Sequence, residues 1–141
     1  LYLNGEYHGL YCMSDKIDRK LLGLKKAKVQ SDGSVNVKGV LYKGINWTEA
    51  TYLGSYDTSE SFDEDVWNGW ELQYPDDYPC YDAWKPLMDL IDFANTSTDN
   101  LKQHYQEHLY HDNVVDYALL LMAHNILDNN MKNLHIISAA V

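Results

Sequence analysis

A long apolar run that ends in a polar loop limits the possible folds of this chain more than any other feature. The run covers residues 114–127, and apolar side chains recur in it at helical spacing at Val114, Val115, Ala118, Leu119, Met122 and Ile126. Because other apolar residues fill most of the remaining positions, the pattern predicts a helix that is buried on nearly all sides. The short run after the loop, residues 134–137, is β-branched in its middle and predicts a strand.

The loop between this helix and this strand is the hexapeptide 128–133, which brings together a carboxylate, an ammonium group and a carboxamide. Asp128 and Asn133 have the separation found in the catalytic loop of protein kinases, where the Asp orients the attacking hydroxyl and the Asn holds a magnesium ion. Lys132 could neutralise a phosphoryl oxygen. Asp and Asn are also common turn residues, because their side chains bond to the nearby backbone. A plain turn is therefore the alternative to a catalytic loop.

The charge of the chain is distributed unevenly. Of the 141 residues, the first 43 carry a net charge of +4, whereas residues 44–84 contain ten acidic residues and no Lys or Arg. This distribution argues against nucleic acid as a main partner, since phosphate binding needs a basic face. It favours a basic or metal-bound partner, with a solvated acidic loop as the alternative. No apolar run is long enough to predict a membrane span.

The N-terminal part, residues 1–43, is expected to be rich in β-structure. Asn4-Gly5 predicts a hairpin, with Gly9 at a bulge or at the entry to the second strand. A short helix capped by Ser14 is predicted next, with Ile17, Leu21 and Leu24 as its buried stripe. Residues 31–34 predict a turn, and the segments 35–37 and 40–42 are strand-like on either side of Gly39.

Residues 44–80 are irregular and aromatic in sequence, with many rings among Gly, Ser, Asp and Pro. Such a segment is too aromatic for a disordered linker, so we expect a long loop packed by its own rings. The acidic, aromatic region as a whole covers residues 44–84. Its rings and carboxylates would suit a basic peptide substrate rich in Ser, Lys and Arg.

Three helices are expected in residues 85–141. The first should begin at Pro86 and end near Asn95, and the second should begin near Ser97 or Thr98. The third should begin after Asp112 and Asn113, and it is the apolar helix described above.

Three histidines, His104, His108 and His111, are spaced along one predicted helical face. Two His at this spacing can chelate zinc, but the Glu of the metalloprotease motif is missing after the first His. Ordinary packing is the alternative interpretation. Cys12 and Cys80 could form one disulfide bond or none, because their spacing matches no metal or redox motif.

Five stretches in sequence order resemble a known family. They are LNGEYHGLY at 3–11, DKID at 15–18, GVLYK at 39–43, DNVVDY at 112–117 and DNNMKN at 128–133. With these stretches the chain resembles the CotH family of atypical protein kinases, which is named for a spore-coat protein. The resemblance covers nearly all of the chain.

This resemblance implies a divergent protein-kinase-like fold that transfers phosphate from ATP to protein hydroxyls with Mg²⁺ or Mn²⁺. Asp128 would be the catalytic acidic residue with Lys132 beside it, and Asn133 would be a metal ligand. Asp15 and Lys16 would belong to the nucleotide site, with Asp15 standing where the family pattern has the longer Glu.

The same resemblance implies that further parts of the nucleotide site lie outside the chain. A strand with a phosphate-binding Lys is expected before Leu1, and a metal-binding Asp is expected after Val141. The 141 residues alone would then form one partial domain and would be inactive.

The predicted fold class is α+β, with a small N-terminal β part and a mainly helical C-terminal half. Two functions from different classes are open at this point. The first is an atypical protein kinase that acts on Ser/Thr hydroxyls of a protein. The second is a non-catalytic binding or structural module with the same fold, because a fold alone does not determine a function. An extracellular or cell-surface location is expected for either.

Overall fold

The structure is a computed structural model that describes residues 2–10, 15–48, 53–59, 61–125 and 133–139. Its strands are β1 (Tyr2–Leu3), β2 (Glu6–Tyr7), β3 (Lys28–Val29), β4 (Val35–Asn36), β5 (Gly39–Gly44), β6 (Val66–Trp67), β7 (Trp70–Tyr74) and β8 (His135–Ala139). Its helices are α1 (Tyr81–Ala94), α2 (Thr98–His108) and α3 (His111–His124). This combination of small antiparallel sheets and three helices confirms the α+β class.

Strand β5 is the centre of the largest sheet, which is antiparallel and has the order β6-β7-β5-β8. The middle of β5 is apolar, and Val40, Leu41 and Tyr42 are at most 1% exposed. Since neighbouring residues of a strand point to opposite faces, β5 must be covered on both sides. A strand of this kind normally lies inside a sheet, as β5 does.

Helix α1 covers one face of this sheet and forms the main core with it. Trp84 stacks on Tyr42 with 5.5 Å between the ring centroids, and the Tyr42 hydroxyl donates a hydrogen bond to the Ala83 carbonyl. Trp67 and Trp70 from the β6–β7 hairpin are buried in the same cluster. The core is therefore built largely from aromatic rings, which bury a large apolar area for each residue.

A short segment around Leu24 and Ala27 covers part of the opposite face. A Cβ added to Gly39 would lie 3.3 Å from Leu24 Cδ2, so this strand end passes close under the segment. The Tyr74 hydroxyl of β7 donates a hydrogen bond to the Lys25 carbonyl at 3.2 Å. The Leu24 segment thus lies over the end of this face that contains Gly39.

The predicted Asn4-Gly5 hairpin is confirmed, and its turn is tighter than expected. Asn4 and Gly5 have φ angles of 51° and 86°, which suit a two-residue turn with a left-handed conformation at both positions. The second strand therefore begins at once, at Glu6, and Gly9 lies beyond it. Both strands of this hairpin are exposed.

The helix predicted after Ser14 is wrong in the part that the structure describes. The Asp18 carboxylate accepts hydrogen bonds from the amides of Lys20 and Leu21, which stabilises turns instead. Gly23, with φ 66°, interrupts any helical continuation. Of the predicted stripe, Leu24 is buried, whereas Ile17 and Leu21 are 42% and 55% exposed.

The predicted turn at residues 31–34 is confirmed, and the predicted strand segments at 35–37 and 40–42 correspond to β4 and β5. In the acidic aromatic region, by contrast, residues 66–67 and 70–74 form strands where a loop was expected. Asn68 and Gly69 make the turn between them with φ angles of 49° and 78°. Some of the rings of this region pack in the main core.

Helix α1 begins at Tyr81, so the prediction that it starts at Pro86 is wrong. Pro86 lies inside the first half of the helix, where its ring removes one backbone hydrogen bond. Extensive burial of the helix on the sheet offsets this loss. Asn95 closes α1 as predicted, and its side-chain amide donates to the Ile91 carbonyl at 2.7 Å.

Helix α2 begins after Ser97, which accepts a hydrogen bond from the Asn100 amide as an N-cap residue should. Helix α3 begins at His111, slightly before the predicted start. None of the helices that the structure describes is long and apolar enough to cross a membrane.

The prediction that α3 is buried is wrong for this chain. No side chain of α3 is buried, and Leu119, Leu120 and Met122 are 54%, 49% and 70% exposed. Periodicity records which side chains would gain from burial, but burial itself needs a packing partner. Among the described residues no element covers this helix.

Candidate functional site

The end of the predicted catalytic loop is attached to the central strand. Asn133 has a φ of 66°, and its backbone N–H donates to the Gly44 carbonyl at 2.8 Å. In return, the Gly44 N–H donates to the Leu134 carbonyl at 2.9 Å. This pair of bonds fixes Asn133 at the end of β5, where the chain enters β8. Asp128 and Lys132 lie outside the described residues.

A row of three polar side chains crosses the sheet next to this attachment. Lys43 on β5 is opposite Glu71 on β7 and opposite His135 on β8. Directly opposed residues of antiparallel strands project to the same face. We call Glu71, Lys43 and His135 the polar row. All three are half-buried.

The polar row lies on the face of the sheet away from α1. The residues next to it along the strands, such as Tyr42, Trp70 and Ile136, belong to the core on the α1 side or pack against it. Alternation along a strand therefore places the polar row on the opposite face.

The imidazole of the polar row, His135, has a pKa below its usual value. Burial lowers the pKa of His135, and the positive charge of Lys43 lowers it further. A backbone contact with Asn133 and the charge of Glu71 act in the opposite direction. A pKa below the usual value for His leaves the ring uncharged at physiological pH.

Lys43 is a candidate site residue that reasoning from the sequence missed. It stands on an apolar strand, as the phosphate-binding lysine of protein kinases does. Its position beside Gly44 places it next to the backbone group that holds Asn133. No carboxylate of the described residues forms an ion pair with it. The signal was the GVLYK stretch itself, which ends a buried run with a cation.

Asp15 and Lys16, the two residues predicted to contact a nucleotide, make no observed contact with Asn133 or with the polar row among the described residues. Asp15 and Lys16 are exposed and lie outside regular secondary structure. Within the described ranges, no hydrogen bond or ion pair connects either of them with Asn133 or with the polar row. Their role stays a prediction.

The histidines of the possible zinc site are engaged in separate local contacts. His104 Nδ1 lies 2.9 Å from a Glu107 carboxylate oxygen, and His108 stacks on Phe93 with 3.9 Å between the centroids. His111 belongs to α3 and not to the same helix as the other two. In the part of the chain that the structure describes, no group of three or more His, Cys, Asp or Glu could hold a metal ion.

A groove of about 400 Å³ lies at the junction of α2 and α3 and is lined by residues 106–112. Of the candidate site residues that the structure describes, neither Asn133 nor Lys43 lines it. The groove is therefore not part of the candidate site.

The acidic aromatic region presents rings and carboxylates on one side of α1. Phe62 packs edge-on against Tyr81, and the Tyr56 hydroxyl donates to the Asp92 carboxylate at 2.9 Å. Tyr81 is nevertheless 54% exposed. The exposed acidic residues of this region include Asp57, Asp63, Glu64, Asp65, Asp76, Asp77 and Asp82.

The described part of the site suits a phosphate group. Lys43 offers an ammonium without an ion-pair partner among the described residues, and Asn133 offers an exposed carboxamide on a fixed backbone. An amide oxygen is a suitable ligand for Mg²⁺, which prefers oxygen donors. The chain is therefore an α+β domain, and the end of its main sheet carries two polar groups that are suited to a phosphate.

The comparison with known families identifies the protein family of this chain. A model of the CotH kinase protein family matches residues 1–139, and the chain therefore belongs to this family. No curated protein and no solved structure matches the chain.

Proposed function

We propose that this protein is an atypical protein kinase that transfers the γ-phosphate of ATP to Ser or Thr hydroxyls of a protein, on a divergent protein-kinase-like fold. The observation that carries the proposal is the attachment of Asn133 to Gly44 at the end of β5. This attachment puts the end of the 128–133 loop beside Lys43. A loop carboxamide that can hold a metal ion and a strand lysine that can contact a phosphate are both parts of phosphoryl-transfer sites.

Each predicted residue has a role in this proposal. Asp128 orients the substrate hydroxyl and accepts its proton, and Lys132 offsets negative charge on the phosphoryl group. Asn133 would hold Mg²⁺ or Mn²⁺, and Asp15 and Lys16 would contact the nucleotide. A bound divalent ion would neutralise charge on the phosphates of ATP.

Lys43 adds a second cation to this set. Since it lies on the central strand, it can contact a phosphate in addition to the lysine that the resemblance places on a strand before Leu1. Its backbone is held on both sides by the register with β7 and β8. A cation on so rigid an element needs little reorganisation to receive a phosphate.

The preferred substrate in this proposal is a basic peptide rich in Ser, Lys and Arg. The exposed carboxylates of the acidic aromatic region attract such a peptide, and rings such as Tyr81 offer cation–π contacts. Binding of a peptide with these residues is expected to weaken steeply as salt is added. Affinity that does not depend on salt would contradict this docking surface.

The decisive test of the proposal is phosphate incorporation from labelled ATP by the polypeptide as its gene encodes it. Replacing the carboxylate in Asp128→Asn keeps its volume but removes the proton acceptor, so incorporation should fall by roughly 10²–10⁴-fold. Circular dichroism is the control for folding. Asn133→Ala should weaken metal use, so added magnesium should restore part of its activity.

Two outcomes would contradict the proposal. Equal incorporation by the unaltered protein and Asp128→Asn would remove the role of Asp128. A folded protein that incorporates no phosphate would favour the non-catalytic binding module, whose ligand would then be sought at the acidic aromatic region.

A further inference from the structure

Exposed lysines are concentrated on the side of the main sheet away from α1. They belong to the stretch that packs on this side through Leu24 and Ala27, whose side chains are 4% and 6% exposed. The Tyr74 hydroxyl fixes this stretch, because it donates to the Lys25 carbonyl at 3.2 Å and accepts from the Ala27 N–H. We call the exposed lysines of the stretch the basic face: Lys16, Lys20, Lys25, Lys26, Lys28 and Lys38.

The lysines of the basic face form no ion pair with any of the described residues. Two carboxylates within the same stretch, those of Asp18 and Asp32, accept hydrogen bonds from amides of their own turns instead. Asp76 and Asp77 follow Tyr74 in the chain, but in the described structure they do not pair with these lysines either. The ammonium groups are therefore available to an anionic partner.

Exposed carboxylates are concentrated on the other side of the sheet, beside α1. The Glu64 carbonyl accepts a hydrogen bond from Trp84 Nε1 at 3.3 Å, and Phe62 packs edge-on against Tyr81. These contacts hold this part of the chain against α1. We call its exposed acidic residues the acidic face: Asp57, Asp63, Glu64 and Asp82.

The main sheet keeps the two charged faces apart. Packed layers are about 10 Å from each other, so the layers on the two sides of one sheet are separated by roughly 20 Å. The Debye length at physiological ionic strength is only about 8 Å. The two faces therefore hardly neutralise each other within one molecule, and each can attract opposite charge on another molecule.

We propose that the basic face of one copy of this protein binds the acidic face of a second copy. The two surfaces are complementary in charge, and the exposed ring of Tyr81 offers a cation–π contact to a lysine. Because the contact joins two different surfaces, each bound copy keeps one face for a further copy. The contact does not require kinase activity, and it competes with any basic peptide that docks on the acidic aromatic region.

The dependence on salt follows from the charges. The whole chain has a net charge of −10, so two copies repel each other at long range. Added salt screens this long-range repulsion before it screens the close contact between the faces. Self-association should therefore be strongest near physiological ionic strength and should be lost toward about 1 M salt, where the Debye length is about 3 Å. Sedimentation velocity over a range of protein concentrations measures it.

A comparison of two variants with the same net charge tests the basic face in the protein as its gene encodes it. Lys25→Gln/Lys26→Gln and Lys102→Glu both make the net charge more negative by two units, but Lys102 lies on α2 and outside both faces. The double substitution should raise the Kd of self-association by roughly tenfold, the size that a few exposed charge pairs allow. Lys102→Glu should leave the Kd unchanged, and circular dichroism is the control for folding.

Charge reversal on each face tests the pairing itself. Lys25→Glu/Lys26→Glu and Asp63→Lys/Glu64→Lys should each fail to self-associate when studied alone. A mixture of the two variants should associate, because the first keeps the acidic face and the second keeps the basic face. A loss of folding in either variant could not produce this recovery.

Three outcomes would overturn the proposal. The first is an unaltered protein that stays monomeric at every concentration and salt level, and the second is a mixture of the reversed variants that stays monomeric. The third is binding to vesicles that contain phosphatidylserine, abolished by Lys25→Gln/Lys26→Gln, without self-association. That result would assign the basic face to a membrane surface and not to a second copy.

Discussion

Helix α1 and helix α3 have the same length, 14 residues, and both have apolar faces, yet they lie in opposite environments. Helix α1 buries six side chains: Ala83, Trp84, Leu87, Met88 and Ile91 in the core with the sheet, and Phe93, which stacks on His108 of α2. Helix α3 buries none, although its sequence is the more continuously apolar. The apolar content of a helix shows how much stabilisation its burial could provide. Whether the helix is buried depends on a packing partner elsewhere in the structure.

The contrast extends to the regions around the two helices. The α1 region contains the three buried Trp residues and the central strand β5. The α2–α3 region contains half-buried and exposed side chains only. Stability should therefore be concentrated in the first region, because free energies of local opening depend on buried apolar contacts.

The largest effect that would test this contrast is expected from Trp84→Ala. Trp84 is 0% exposed and stacks on Tyr42, so its removal should lower the free energy of unfolding by about 3–5 kcal/mol. Met122→Ala on α3 is the control, and its effect should lie within about 0.5 kcal/mol. Urea unfolding followed by circular dichroism measures both. Similar losses for the two variants would break the contrast.

A smaller effect is expected at the start of α2, where a side chain and not a core supports the helix. Ser97→Ala removes the cap on the Asn100 amide and should cost about 1 kcal/mol of helix stability. Hydrogen exchange of the first turn of α2 would report the change. Ser55→Ala, a replacement at an exposed residue outside this helix, should leave that exchange rate unchanged.

A still smaller effect is expected from Leu119→Gln on α3. Because Leu119 is 54% exposed, the polar replacement should change the free energy of unfolding by less than about 0.5 kcal/mol. Leu87→Gln on α1 places the same group in the core and should destabilise strongly. Thermal unfolding of the two variants side by side sharpens the comparison, and a large loss for Leu119→Gln would show that α3 is covered in solution.

The smallest effect concerns Asp18, at the edge of the sheet region. Its hydrogen bond from the Leu21 amide lowers the pKa of the carboxyl below its usual value of 3.8. A folded pKa below the unfolded one stabilises the protein above pH 3.8, and this contribution is lost as the pH falls through the folded pKa. An NMR titration of Asp18 should show a midpoint below 3.8, and a midpoint at or above this value would contradict the observed turn.

Some residues of the candidate site could be proposed from the sequence, but the residues that depend on strand pairing could not. Residue types and spacing singled out the 128–133 loop and Asn133, and the family resemblance supplied their predicted catalytic roles. Lys43 and Glu71 were not, because their significance depends on the register of β5 with β7. Asp15 and Lys16 were predicted from the resemblance, and no observed contact joins them to the site.

The sequence by itself determined the features that depend on a few neighbouring residues. These include the Asn4-Gly5 turn, the Ser97 cap and the strand at Val40–Tyr42. Each follows from backbone dihedral preferences or from a hydrogen bond between residues close in the chain, so distant residues cannot easily change it.

Only the tertiary structure decided which apolar segments are buried and which polar residues meet. It placed Trp67 and Trp70 on core strands inside a region that looked irregular, and it left α3 uncovered. It also aligned Lys43 with Glu71 and His135 from distant parts of the chain. Burial and strand register are set by contacts between residues far apart in sequence, and no local pattern carries that information.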